Sequence, residues 1–321
     1  MLNPIDPTWW QAGSQLNWWD CTLGSKPGWL PDTKQAHHRI KQRLHLVLQA
    51  LALIHEYRTI ETSQLHELNP KLPRQAKASL YRDMAALQLI DVGYPISVNA
   101  RTAASPYRAP WMAVRLPIHA RIESQLEQLE VNPVQMIALG PGPLRGARQY
   151  DRHNLICVDL AIQARQQGWL TYGELYGRFS LITSDPLMGS GGPDLILKGE
   201  HTIISIELTA SANMGLEAKI KRWQQQLSHP ACKTMHVCWL DASNNHLLTK
   251  LEALTANQPH MHATTVTAWK QTMTCTDNFQ PQPGTPQPPR HWMRTNLNNI
   301  AQAFGFPNSN TWHIPASLNG I

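Results

Sequence analysis

Two apolar runs near residue 200 restrict this chain more than any other stretch. Leu195-Ile196-Leu197 follows Gly191-Gly192-Pro193-Asp194, and Thr202 to Thr209 returns after Lys198-Gly199-Glu200-His201, which reads as a hairpin tip. Read with period 2, the second run sends Ile204, Ile206 and Leu208 to one face and Ile203, Ser205, Glu207 and Thr209 to the other, the pattern of a strand buried on one side. The hairpin brings Asp194 back beside Glu207. Two carboxylates at one end of a sheet repel unless a cation or a shared proton lies between them, and hard oxygen ligands suit Mg²⁺ or Mn²⁺. The plainer alternative is a turn aspartate and an edge-strand glutamate.

At these residues the sequence resembles the PD-(D/E)xK nuclease-like superfamily. Pro193-Asp194 matches, but Glu207-x-Thr209 stands where the resemblance implies Glu-x-Lys. Threonine offers a hydrogen bond but no charge to a developing phosphorane. Some members draw the lysine from the following helix, here Asn213 to Leu227, and Lys219 is the candidate. Against this, Glu217 and Lys221 can form an i,i+4 surface pair, with both helix lysines simply solvated. Asp159, on a helix expected from Arg152 to Arg165, is either the further acid that the superfamily adds or a solvated side chain. The resemblance makes Asp194, Glu207 and Lys219 the catalytic candidates, with Asp194 and Glu207 as metal ligands.

The net charge of +6 is unevenly spread. From Lys34 to Arg121, 13 Lys and Arg face 5 Asp and Glu; the remainder carries 15 against 17. A basic surplus confined to one segment is the footprint of a phosphate-binding module. That segment opens with an amphipathic helix, Arg39 to Tyr57, with Ile40, Leu44, Val47, Leu48, Leu51 and Ile54 on one side. A short helix capped by Thr62 follows, and a third carries Ala76, Leu80, Met84 and Leu87 inward. Strands near Leu89 to Gly93 and Ala113 to Leu116 enclose a polar loop, so the unit reads as a winged helix-turn-helix. Arg74, Gln75, Lys77, Tyr81 and Arg82 are the expected duplex contacts of the third helix, with Arg101 and Arg108 in the wing. A winged helix for protein contacts is the alternative. His37, His38, His45, His55 and His66 show no ligand spacing and read as surface residues.

The five cysteines, scattered and without a C-x-x-C pair, indicate neither a disulfide framework nor a zinc site. The first residues lack a signal-peptide pattern, and no stretch reaches the roughly 18 apolar residues of a membrane span, so a cytoplasmic protein is expected. Residues 1–36 hold Trp9, Trp10, Trp18, Trp19 and Trp29 with few cations. This arm is expected to pack on another domain, a partner protein or a second copy, with stacking on unpaired bases as the alternative.

Residues 132–150, containing Gly140-Pro141-Gly142-Pro143, read as a linker between a domain at 37–131 and one at 151–275; residues 276–321 read as a Pro-rich linker and tail. Thr171 and Glu174 have capping-box spacing. Beyond the acidic hairpin, a strand at Met235 to Leu240, a helix at 244–256 and a last strand near Thr264 to Trp269 complete an α/β chain of the α+β kind. Its second half reads as a restriction-endonuclease-like mixed sheet with flanking helices.

The succession of a winged helix, Tyr150-Asp151-Arg152-His153-Asn154-Leu155, Gly168-Trp169-Leu170-Thr171 with Glu174-Leu175, Pro193-Asp194 and Ile206-Glu207-Leu208-Thr209 resembles the replication-relaxation family of plasmid and mobile-element proteins. The similarity spans roughly residues 37 to 270. It implies a DNA binder acting in replication, relaxation or mobilisation, with a nuclease-like domain that cuts or nicks DNA; a non-catalytic transcription or assembly factor with the same fold is the alternative. The family's acid strand continues with Asp and Gly, where this chain has Ala210-Ser211.

Overall fold

The computed structural model describes residues 15–21, 27–96, 112–118, 122–146, 150–183, 185–189, 191–210, 215–243 and 246–284. Trp9, Trp10, Arg101, Arg108 and the tail from residue 285 lie outside the described residues. The chain is mixed α/β with two sheets and divides into two compact units, one running to Val158 and the other Asp159–Gln287. No helix among the described residues is long and apolar enough to cross a membrane.

The first unit begins with β1 (Gln15–Trp19), then α1 (Thr33–Gln42), α2 (Leu44–Tyr57), β2 (Thr59–Glu61), α3 (Thr62–Leu68), α4 (Ser79–Ala86), β3 (Asp91–Ile96) and β4 (Ala113–Arg115). Its antiparallel sheet has the order β1-β3-β4-β2. The single helix expected from Arg39 to Tyr57 breaks at Arg43, whose backbone (φ −121°, ψ 24°) leaves the helical region. Asp32 caps α1 by accepting the Lys34 and Gln35 amides. The helix expected to carry residues 74–87 starts only at Ser79, because Pro73 and a turn from Gln75 to Ala78 precede it.

The described part of the Trp-rich arm packs on its own unit. β1 pairs with β3 so that Trp18 lies opposite Gly93, and a Cβ there would stand 2.9 Å from the indole. Glycine is what lets the ring lie across the sheet. The Trp18 Nε1–H donates to Asp151 (2.9 Å), while the Arg115 guanidinium stands 4.1 Å from the ring centroid. Trp19 and Trp29 meet edge to face at 5.4 Å.

The segment expected as a linker is packed. α5 (Ile122–Gln128) is followed by α6 (Pro133–Ile137), which Asn132 and Gln135 cap reciprocally, and Val134, Leu139 and Leu144 are buried. The division between the units instead falls within α7 (Asp151–Gln166).

The second unit holds a five-stranded sheet, β5 (Leu170–Gly173), β6 (Leu195–Lys198), β7 (Ile203–Thr209), β8 (Met235–Asp241) and β9 (Met261–Thr265), in that spatial order. β5, β6 and β7 are antiparallel neighbours; β7, β8 and β9 run parallel. Between them come α8 (Phe179–Thr183), α9 (Gly215–Leu227) and α10 (Leu248–Thr255), and α11 (Val266–Thr272) follows β9. One core gathers Phe179, Leu216, Ile220, Trp223, Val237, Trp239 and Leu251, with Phe179 and Trp223 edge to face at 4.7 Å.

Three local readings change here. Thr171 and Glu174 do not cap a helix: Thr171 lies in β5 and its hydroxyl accepts from Arg165 Nε at 2.7 Å. The last strand ends at Thr265, whose hydroxyl caps α11 by accepting the Ala268 amide (3.0 Å), so Val266 to Trp269 is helical. β7 is the central strand, covered on both faces rather than one, and Ser205 and Glu207 are both fully buried.

Candidate functional site

The β6–β7 hairpin forms as its pattern predicts, with Leu195 opposite Ile206 and Lys198 opposite Ile203. Asp194 sits just ahead of β6. Its amide donates to the Ile206 carbonyl (3.0 Å), and its Oδ2 accepts the Leu208 amide (2.8 Å), which pins the carboxylate on the Glu207 segment of β7. Backbone crowding fixes this entry. A Cβ on Gly192 would stand 1.8 Å from the Gly177 carbonyl oxygen, and one on Gly177 would stand 2.7 Å from that of Pro193. Gly192→Ala is therefore expected to destabilise the second unit by about 1–3 kcal/mol, as overpacking does, and to loosen Asp194. An unchanged urea midpoint would show that the loop absorbs the methyl group.

Glu207 projects toward α9. The buried stripe of that helix, Leu216, Ile220 and Trp223, includes Lys219 at helical spacing, so the lysine faces the sheet while Glu217 and Lys221 are exposed. Lys219 Nζ forms an ion pair with Glu207 Oε2, and Trp223 Nε1–H donates to Oε1 at 2.5 Å. Oε2 is met by the Lys219 ammonium. Glu217 lies 3.8 Å from Lys250, so its partner comes from α10 and not from Lys221.

Asp194, Glu207 and Lys219 thus come together, as the resemblance implies. Burial, reinforced by the nearby Asp194, pushes Glu207 up to about 8, against the opposing pull of Lys219 and Trp223. Burial opposes the charge on Lys219, but Glu207 and Asp194 outweigh it and hold the ammonium above its ordinary range. The Trp223 donor was not expected; its signal was the four-residue spacing from Lys219. Asp159 stays apart, paired with Lys270 of α11, so it is neither a further acid of the site nor a solvated one.

The arrangement does not fit a divalent ion. Mg²⁺ and Mn²⁺ keep several oxygen ligands, usually including water. Glu207 is 0% exposed, one of its oxygens is bound by an indole donor, and the other faces an ammonium attracted to both acids. Lys219 supplies the cation that two adjacent carboxylates require. Among the described residues one group of three ligand side chains lies within 4.8 Å, Asp20, Cys21 and Asp91. There Asp91 accepts from the Cys21 amide (3.0 Å) and faces Arg115 Nε (3.4 Å), and burial pushes the Cys21 thiol up, away from the thiolate a metal needs.

In the first unit the expected contact residues separate into two groups. Arg74, Gln75 and Lys77 are exposed on the approach to α4, with Arg74 only 3.6 Å from Glu67. Tyr81 is fully buried and its hydroxyl donates to the Pro73 carbonyl (2.7 Å), so it faces no groove; α4 is covered on more than one side, with Leu80, Tyr81, Asp83 and Met84 all buried. Arg82 is half-buried and donates from Nε (3.1 Å) and Nη2 (2.8 Å) to the Trp29 carbonyl. A basic feature that sequence spacing could not reveal is a cavity of about 10 Å³ lined by Arg58, Arg115 and Arg145. Comparison with known proteins finds no matching family model, curated protein or solved structure.

Proposed function

We propose that this chain is a DNA-binding protein, of the kind the replication-relaxation resemblance implies for a plasmid or other mobile element, in which a winged-helix unit contacts the duplex. The observation that carries this reading is the exposed set Arg74, Gln75 and Lys77 in the turn ahead of α4, inside the segment that holds the basic surplus. The sequence of α3, turn and α4 followed by β3 and β4 supports it, since the turn that leads into the second helix of such a unit lies beside the duplex backbone. Expected contacts are phosphates at Arg74 and Lys77 and a base edge at Gln75. Tyr81 and Arg82 act by holding the unit together.

The second unit keeps a nuclease-like arrangement of acids with its charge already neutralised, which favours a role in holding nucleic acid or a partner over cutting. The convergence of Asp194, Glu207 and Lys219 is what favours the cleavage reading, which would require Asp194 and Glu207 to hold a divalent ion where Lys219 now supplies the charge.

Fluorescence anisotropy with a labelled duplex tests the first claim. Arg74→Ala with Lys77→Ala should weaken binding and lower the slope of log affinity against log salt by about 2, near one per phosphate contact. An unchanged slope would remove these residues from the interface. Incubation of supercoiled plasmid with Mn²⁺ decides between the readings of the second unit: no cutting supports the non-catalytic one, whereas cutting abolished by Asp194→Ala and by Glu207→Ala establishes the other.

A further inference from the structure

At the amino-terminal ends of β8 and β9, three imidazoles and a carboxylate form a chain. His262 Nδ1 stands 2.7 Å from Asp277 Oδ2, His236 Nδ1 stands 2.9 Å from His262 Nε2, and His260 Nδ1 stands 3.4 Å from His236 Nε2. The order of protons along it follows from donor chemistry. A carboxylate only accepts, so His262 carries its proton on Nδ1 and leaves a lone pair on Nε2. That lone pair takes the Nδ1–H of His236. The remaining nitrogen, His236 Nε2, is then a bare lone pair aimed at His260.

The rings are held in place. Phe279 stacks on His262 (3.8 Å, 6°) and on His236 (4.5 Å, 19°). His260 takes a left-handed backbone conformation (φ 63°), unusual away from glycine, while its carbonyl accepts the Val237 amide at 2.8 Å. Two nitrogens bound at about 2.0–2.1 Å to one tetrahedral ion stand about 3.3–3.4 Å apart, which is the spacing between His236 Nε2 and His260 Nδ1. We infer that these two nitrogens form a site for a borderline divalent transition metal of the Zn²⁺ class, with His262 and Asp277 as the orienting relay behind it. Two imidazoles leave the other coordination positions to water, and the exposed His260 gives the ion a path in. Imidazole donors set this site apart from the oxygen chemistry of Asp194 and Glu207.

Calorimetric titration of the full chain with Zn²⁺, with Co²⁺ absorption as a second readout, tests the assignment. One ion should bind per chain, with a Co²⁺ spectrum of tetrahedral type. His260→Ala, at an exposed position, should weaken binding at least about 30-fold. Asp277→Asn leaves both ligands in place and removes the relay's anchor; it should weaken binding about 10- to 100-fold, which a merely structural role for Asp277 would not produce in a folded variant. Cys21→Ser should change nothing. Absence of binding, affinity unmoved by His260→Ala, or loss confined to Cys21→Ser would overturn the proposal.

Discussion

Asp83→Ala is expected to lower the stability of the first unit by about 2–3 kcal/mol, a shift near 1 M in the urea midpoint for a unit of this size. Asp83 is 0% exposed on α4 and accepts Arg39 Nε (2.9 Å), Arg39 Nη2 (2.6 Å) and Arg43 Nη2 (2.5 Å). Arg43 also donates to Ser79 Oγ (2.9 Å), so one carboxylate ties α4 to α1 and to the break before α2. Charge-assisted, bidentate bonds to a buried carboxylate are the strong kind. The two guanidiniums are 36% and 28% exposed, however, and regain water when the anion is removed, which keeps the loss below that of a fully buried pair. Hydrogen exchange in urea resolves the peptides of α1 and α4, and protection there should fall together. Because α4 anchors the turn that carries Arg74, Gln75 and Lys77, the duplex binding proposed above should weaken in the same variant. A loss under about 0.5 kcal/mol would mean that apolar packing alone holds the two helices.

The two arginines on Asp83 also show where sequence reading stops. Their charge, counted along the chain, belongs to the basic surplus that points to nucleic acid, yet in the fold it is spent on an internal anion. Arg82 likewise turns inward, though onto a neutral acceptor, the Trp29 carbonyl. Legible features were those set by neighbours close in the chain: the β6–β7 hairpin, the helix that became α9, β3, β4 and β8. Illegible ones depend on distant partners. β1 is a strand because it pairs with β3, some 75 residues on, and β5 because it pairs with β6. Thr171 beside Glu174 is a capping pattern in isolation, and a strand once Arg165 takes its hydroxyl. The alternation in β7 is that of a half-exposed strand, since nothing local reveals that α9 brings a lysine and an indole to bury Glu207.

That burial makes Lys219→Met the variant with the sharpest pH signature. The folded value of Glu207, about 8, lies above its unfolded value near 4.5, so the native state holds the extra proton between these limits. Stability then falls as pH rises through that window, by up to about 1.4 kcal/mol per unit while the native carboxyl stays protonated. Lys219 has the opposite sign: its folded value is raised, its contribution is complete below the unfolded value near 10.4, and it is constant over the window. Removing the ammonium takes away the charge that offsets Asp194 and desolvation, and Glu207 rises further. The variant should match the wild type within about 1 kcal/mol at pH 5, where the carboxyl is protonated in both, and its deficit should grow by about 1 kcal/mol at pH 9, because the two differ in slope only above the wild-type value of about 8. Glu207→Gln in the Lys219→Met background should flatten the curve between pH 5 and 9, because the buried glutamic acid is gone, while an amide oxygen still accepts from Trp223. Urea midpoints at pH 5, 7 and 9 read both effects. A deficit equal at all three would mean that Lys219 acts through packing of its stem, and that the cation between the two acids comes from elsewhere.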